Sequence, residues 1–239
     1  MLVTTYYWAF FSLMALTRVT GHSVWFLDKT ALTELKKLAS AQQQPGAGAL
    51  YLDLGPYTSG TLRSAQLKPS KKQLHEAIWL KGHRLISDVF DRVDPDNVQE
   101  YRLWRALKML GDKFGPDWPS KLRNAVNYRP GYCYREVTQD AQIDFIHDIK
   151  RHTPATLNQL LEYLEDEYSA IQNSADPSSD PKGFSRLLGT FAMILSAILE
   201  TLHADILDRH KGDGRWKAKR AIFLSRHCKT STKSVWPYA

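Results

Sequence analysis

Apolar residues recur along most of the chain at spacings of three and four, the signature of helices with one buried face. From residue 2 to 18 (LVTTYYWAFFSLMALTR) aromatic and aliphatic side chains occupy nearly every face, which predicts a helix buried on most sides. Asp28 is placed to cap a short helix through Leu35 to Ala39. Residues 42–48 (QQQPGAG) read as a loop, and 50–60 (LYLDLGPYTSG) as irregular or briefly extended, with Gly55-Pro56 as a turn signal. Ser70 followed by Gln73 forms a capping-box pattern. Behind it Leu74, Ile78, Leu85 and Val89 predict an amphipathic helix to about Val93, broken by Asp94-Pro95-Asp96. Val98, Tyr101, Leu103, Trp104, Leu107 and Leu110 carry the next helix, stopped near Gly111. A short helix follows over 118–128, ended by Pro130-Gly131.

The second half continues in the same manner. Residues 141–150 read as an acidic helix, and Thr153-Pro154 opens another whose face is Leu157, Leu160, Leu161, Leu164 and Tyr168. Residues 174–183 (SADPSSDPKG) form the best linker in the chain. A long helix over 184–209 is very apolar through Leu199, Gly212-Asp213-Gly214 breaks it, and a basic helix over 215–227 ends the pattern. Strand signals are few and no internal repeat is visible. The expected class is mainly α, a helical bundle with an additional C-terminal helical region.

The chain has 239 residues, of which 43% are hydrophobic and 24% charged, ordinary values for a globular protein. Two cysteines, Cys133 and Cys228, exclude a disulfide scaffold and a four-cysteine zinc site. The N-terminal run lacks a basic leader and a small-x-small cleavage pattern, and it is too short for a bilayer. The expectation is therefore a core helix in a cytoplasmic protein with no membrane partner, and no other segment is expected to be long and apolar enough to change that.

Charge is unevenly distributed. The formal +7 resolves into a tail over 209–239 with nine basic residues against Asp213 alone, and a remainder of net −1. Within that remainder, 63–135 nets +7 and 137–180 nets −7. Local basic blocks point to a polyanion, because neutralisation of phosphates by Lys and Arg drives nucleic-acid affinity. Arg123, Arg129 and Arg135 are interleaved with Tyr128, Tyr132 and Tyr134. That pattern suits stacking on single-stranded RNA, or else a loop packed by its own tyrosines, and both readings stay open. In the tail, Arg215, Lys217, Lys219 and Arg220 are candidate phosphate contacts. Arg220 and His227 lie two helical turns apart and form an alternative arginine–histidine centre, or part of a solvated helix.

Metal sites find little support: His203, Asp205, Asp208 and His210 crowd one helix end, but the His-x-x-x-His spacing is missing. P-loop, dinucleotide and nucleophile-elbow patterns are absent from the sequence, so no cofactor is expected.

Two segments together resemble a family. Residues 6–21 (YYWAFFSLMALTRVTG) look like the aromatic and aliphatic helix, closed by a glycine turn, of the HEPN superfamily of prokaryotic helical bundles. Leu122-Arg123-Asn124-Ala125-Val126-Asn127-Tyr128 resembles the motif of HEPN ribonucleases, in which an arginine and a polar neighbour precede a histidine four to six residues beyond the arginine. Here Tyr128 stands in the histidine's place, and Asn127-Tyr128 is similar to the aspartate–tyrosine pair of non-nuclease relatives. The resemblance covers about residues 4–135. It implies a HEPN-like bundle over 1–135, often dimeric; the residue pattern places after it an acidic helical pair over 136–173, the linker over 174–183, and the C-terminal helices over 184–239.

It further implies RNA binding in a toxin–antitoxin or phage-defence setting, with a cognate antitoxin or defence-system protein as a possible partner. Arg123, Asn124 and Tyr128 would form the ligand-facing motif, helped by Arg129, Tyr132, Tyr134 and Arg135. Arginine suits phosphate because its planar fork binds two oxygens and stays charged. A tyrosine, with a pKa of about 10, does not replace histidine as a general base at neutral pH. The alternatives are a metal-independent endoribonuclease, using Arg220 and His227 or an unusual Arg123/Tyr128 centre, and a non-catalytic helical module that docks an acidic protein.

Overall fold

The computed structural model describes residues 2–38, 46–54, 65–128, 157–174, 177 and 180–209. The class is mainly α, as expected, with seven described helices and one small sheet. In chain order the elements are α1 (Leu2–Val19), β1 (His22–Leu27), α2 (Lys29–Leu38), β2 (Gly48–Leu54), β3 (Ala65–Pro69), α3 (Leu74–Phe90), α4 (Val98–Phe114), α5 (Trp118–Tyr128), α6 (Leu157–Ile171) and α7 (Pro181–Arg209). The readings over 141–150 and beyond residue 209 lie outside the described residues.

α1 is the central element. Leu2, Tyr6, Ala9, Phe10, Leu13 and Leu16 are buried at three-to-four spacing. The helix packs against α7, α3, α5 and β1. Its seam with α7 combines apolar packing with polar bonds: the Trp8 indole N–H donates to Ser196 Oγ at 2.8 Å, and Ser12 Oγ lies 3.2 Å from the same atom. One hydrophobic cluster joins α1, α3, α4 and α5 to Leu160, Leu161 and Leu164 of α6 and to Phe184, Leu188, Phe191 and Leu195 of α7.

The expectation that no later segment is long and apolar enough for a membrane is corrected by α7. Gly183–Ile206 meets that criterion by length and composition, and half of its apolar stretch is buried within the fold. Its apolarity has a local cause, since α1 covers one side of it and α6 another.

Gly21, at φ +83°, turns the chain from α1 into the sheet, a conformation that favours glycine. The sheet is an antiparallel meander in the order β1-β2-β3, with His22 opposite Asp53 and Leu52 opposite Leu67. β1 departs from the expectation, and Gly48–Leu54 is a strand, the extended alternative for the start of 50–60. The strands are short, and burial along β1 runs in pairs instead of alternating: Ser23 and Val24 are buried while Trp25 and Phe26 are exposed. The period-two signal is therefore missing. Asp53 fastens the sheet to α3, with Oδ1 2.9 Å from His22 Nδ1 and 2.5 Å from Lys81 Nζ.

Helix ends follow local chemistry. Asp28 caps α2 as expected, its Oδ1 accepting the Ala31 N–H at 2.7 Å. The capping box at Ser70 is not formed. The Ser70 N–H donates to Ala49 O and so continues the sheet, while Ser70 Oγ accepts from the Lys72 N–H. α3 consequently starts later, with Gln73 as an N-cap that makes no side-chain cap bond. α4 passes through Gly111 and ends at Phe114, before Gly115 at φ +87°. Gly111 serves packing rather than termination, because a Cβ there would sit 2.2 Å from His83 Nδ1. α7 begins three residues before the expected Phe184: Asp180 Oδ1 accepts the Gly183 N–H at 3.0 Å, and Pro181 takes the first helical position.

α1 and α3 approach closely at Gly82, where an added Cβ would lie 2.3 Å from Leu13 Cδ2, and Leu13 is itself buried. Gly82→Ala is expected to cost about 1–3 kcal/mol by overpacking. Gly46→Ala, with open space around it, should change stability little. Urea unfolding midpoints of the two variants check this, and equal midpoints would contradict the packing described.

Candidate functional site

Three helices meet around one phenol. Tyr6 of α1 is fully buried. Its hydroxyl lies 2.8 Å from His75 Nδ1, 3.1 Å from Ser120 Oγ, and accepts the Trp79 indole N–H at 3.1 Å. His75 and Trp79 are one turn apart on α3, and Ser120 lies one turn before Arg123 on α5, so each helix turns a pair of side chains toward the same point. Burial raises the pKa of Tyr6, which keeps the phenol neutral.

Arg123 closes one side of the cluster. Its guanidinium carbon is 5.8 Å from the centre of the Tyr6 ring, Nη1 donates to Asn124 Oδ1 at 2.9 Å, and Nη2 donates to Tyr7 Oη at 3.4 Å. The Tyr7 ring meets Tyr6 edge-on at 5.2 Å and stacks on Phe11 at 5.9 Å. Phe11 is 54% exposed, so an aromatic surface beside the arginine reaches solvent. The imidazole of His75 stacks on Phe10 at 4.4 Å. Burial, and then the charge of Arg123, hold His75 below the ordinary histidine value, so the imidazole is neutral at pH 7.

The two segments singled out in the sequence are thus brought together: Tyr6 and Tyr7 come from the first, Arg123 and Asn124 from the second. Tyr128 is the last residue of α5. Arg129, Tyr132, Tyr134, Arg135, Arg215, Lys217, Lys219, Arg220 and His227 lie outside the described residues, as do Cys133, Cys228 and His210. His203, Asp205 and Asp208 are on α7, and no group of three potential metal ligands is assembled among the described residues. A cavity of about 470 Å³ between α4 and α6 is lined by Tyr101, Arg102, Leu110, Leu164 and Glu165, among others, and shares no residue with the Tyr6 cluster.

Sequence reasoning missed His75, Ser120 and Trp79. A signal for His75 was present. It sits on the apolar face of α3 with Ile78 and Trp79 three and four residues on, and a polar ring there needs a buried partner.

The depressed His75 value has a consequence for stability. The folded pKa lies below the unfolded one, near 6.5, so the unfolded chain takes up protons first as the pH falls. Stability is therefore lost from about pH 6.5 downward, until the folded value is passed. His83, lowered mainly by burial with Asp112 opposing, adds to the same window. Asp112 and Glu165, held low by Lys108 and Arg102, and Asp53, whose partial burial is outweighed by its bonds to Lys81 and His22, act only below about pH 5. Between pH 7.5 and 5.5 the wild type should lose stability, and His75→Gln should lose less. Parallel denaturation curves at the two pH values check this, and an unchanged drop in the variant would contradict it.

No family model matches the chain, and neither a curated protein nor a solved structure matches it.

Proposed function

We propose that this protein binds RNA at the face formed by Arg123, Tyr7 and Phe11, as a HEPN-like, dimeric component of a prokaryotic toxin–antitoxin or phage-defence system. The observation that carries the reading is the guanidinium of Arg123 held against Tyr7 while Tyr7 stacks on an exposed Phe11. A charged planar fork next to a half-buried and an exposed ring matches the two demands of single-stranded RNA, phosphate neutralisation and base stacking. The basic residues Arg215, Lys217, Lys219 and Arg220 would add phosphate contacts that carry no sequence preference. The biological setting and the dimer rest on the resemblance of residues 6–21 and 122–128.

His75 favours a second reading, metal-independent RNA cleavage. Tyr128 offers no base at neutral pH, but a neutral imidazole beside Arg123 does. In that reaction His75 takes the proton of a ribose 2′-hydroxyl, the 2′-oxygen bonds to phosphorus, the bond from phosphorus to the 5′-oxygen breaks, the 5′-oxygen takes a proton from water, and the imidazolium returns its proton to the hydroxide so formed. Arg123 stabilises the charge on the phosphate oxygens.

Fluorescence anisotropy with a mixed single-stranded RNA, measured across salt concentrations, tests the first reading. Arg123→Ala should weaken binding and lower the salt slope by about 0.7, the share of one neutralised phosphate on a single strand. An unchanged affinity and slope would remove Arg123 from the interface. The same mixtures, incubated in EDTA and run on a gel, decide the second reading. Cleavage abolished by His75→Ala supports it, and intact RNA with the wild type ends it while leaving binding in place.

A further inference from the structure

The hydrogen-bond count around Tyr6 allows two proton arrangements. The Trp79 indole can only donate, so the phenol oxygen always accepts from it. The single phenolic proton then goes to one of the other two partners. In the first arrangement Ser120 donates to Tyr6, Tyr6 donates to His75 Nδ1, and the imidazole proton is on Nε2. In the second, His75 donates from Nδ1 to Tyr6, Tyr6 donates to Ser120 Oγ, Nε2 carries a lone pair, and the Ser120 proton is released for another acceptor. In both, Trp79 fixes one of the phenol's bonds, so a change at Ser120 is answered at His75.

Ser120 is half-buried and stands one turn from Arg123 on α5. The charged oxygens of a phosphate accept hydrogen bonds and cannot donate them, so such an oxygen held by Arg123 and reaching Ser120 would require the serine hydroxyl as a donor. That requirement selects the second arrangement.

We propose that Ser120 is an anion-contacting hydroxyl beside Arg123, and that Tyr6 relays its occupancy to His75 by moving the imidazole proton from Nε2 to Nδ1. The substrate class is a phosphate ester or phosphate monoanion or dianion. The inference rests on the Arg123 face receiving phosphate. Its consequence is that anion binding raises the share of His75 that carries a lone pair on Nε2, which couples binding to the availability of a base. Tyr6 and Ser120 are positioning residues in this scheme. The ionisable groups around His75 are Tyr6, Tyr7 and Arg123. Burial keeps the Tyr6 phenol neutral and arginine side chains stay charged in proteins, so the change is a tautomer shift and not a titration.

The test uses the full chain labelled with ¹⁵N-histidine, with the His75 signals assigned by their absence in His75→Gln. Inorganic phosphate is titrated at pH 7.5 while long-range ¹H–¹⁵N spectra report which ring nitrogen carries the proton. The expected result is a shift of the His75 proton from Nε2 to Nδ1 on saturation. Ser120→Ala should bind phosphate about tenfold more weakly and show no tautomer shift even when saturated. Ser120→Thr, which keeps the hydroxyl, should restore the shift, and Tyr6→Phe should abolish it. Phosphate binding without a tautomer change in the wild type would overturn the relay, as would a shift that persists in Ser120→Ala. RNA anisotropy on the same samples separates the two ideas: RNA binding with no tautomer change defeats the relay alone, whereas a phosphate-driven shift with no RNA binding defeats the RNA reading alone.

Discussion

A phenol hydroxyl removed from water costs stability unless its proton and its lone pairs find partners. Tyr6 is fully buried, and its three partners come from two other helices: His75 and Trp79 from α3, Ser120 from α5. The hydroxyl therefore does more than satisfy itself. It sets the depth at which α1 lies against α3 and the rotation of α5 about its axis, because a small slide of any helix would break one of the bonds. Arg123 inherits its position from that arrangement, one turn beyond Ser120 and over the Tyr6 ring.

Apolar packing supplies the frame in which this polar centre is held. Trp118 and Phe184 lie 6.0 Å apart, Phe114 meets Phe184 edge-on at 4.8 Å, and Trp79 faces Phe191 at 6.3 Å. These aromatic pairs carry the start of α7 into the core formed by α3, α4 and α5. The polar bonds at the periphery are weaker supports. Arg102 and Glu165 join α4 to α6 with two hydrogen bonds but are each about 40% exposed, where ion pairs add little.

The helices were legible because burial follows their period: Leu160, Leu161 and Leu164, or Ile78 and Leu85, mark the inner face directly in the sequence. Caps were legible where one residue decides them, as at Asp28, and misleading where a longer-range bond intervenes, as at Ser70, whose backbone belongs to the sheet. β1 is not legible because it buries neighbouring residues instead of alternate ones, and β2 shows only as a briefly extended alternative over 50–54. The candidate site was half visible. Tyr6, Tyr7, Arg123 and Asn124 stood in the two segments that attracted attention, while His75 and Ser120 belong to no local motif. Only the crossing of α1 with α3 and α5 brings residues separated by 69 and 114 positions to one oxygen atom.

The Tyr6 hydroxyl couples α1 to α3 through His75. A double-mutant cycle with Tyr6→Phe, His75→Ala and the combined variant, read by urea unfolding, tests it most directly. Residues sharing one hydrogen-bond network show non-additive effects, and a coupling of about 0.5–3 kcal/mol is predicted. Strictly additive losses would contradict the claim.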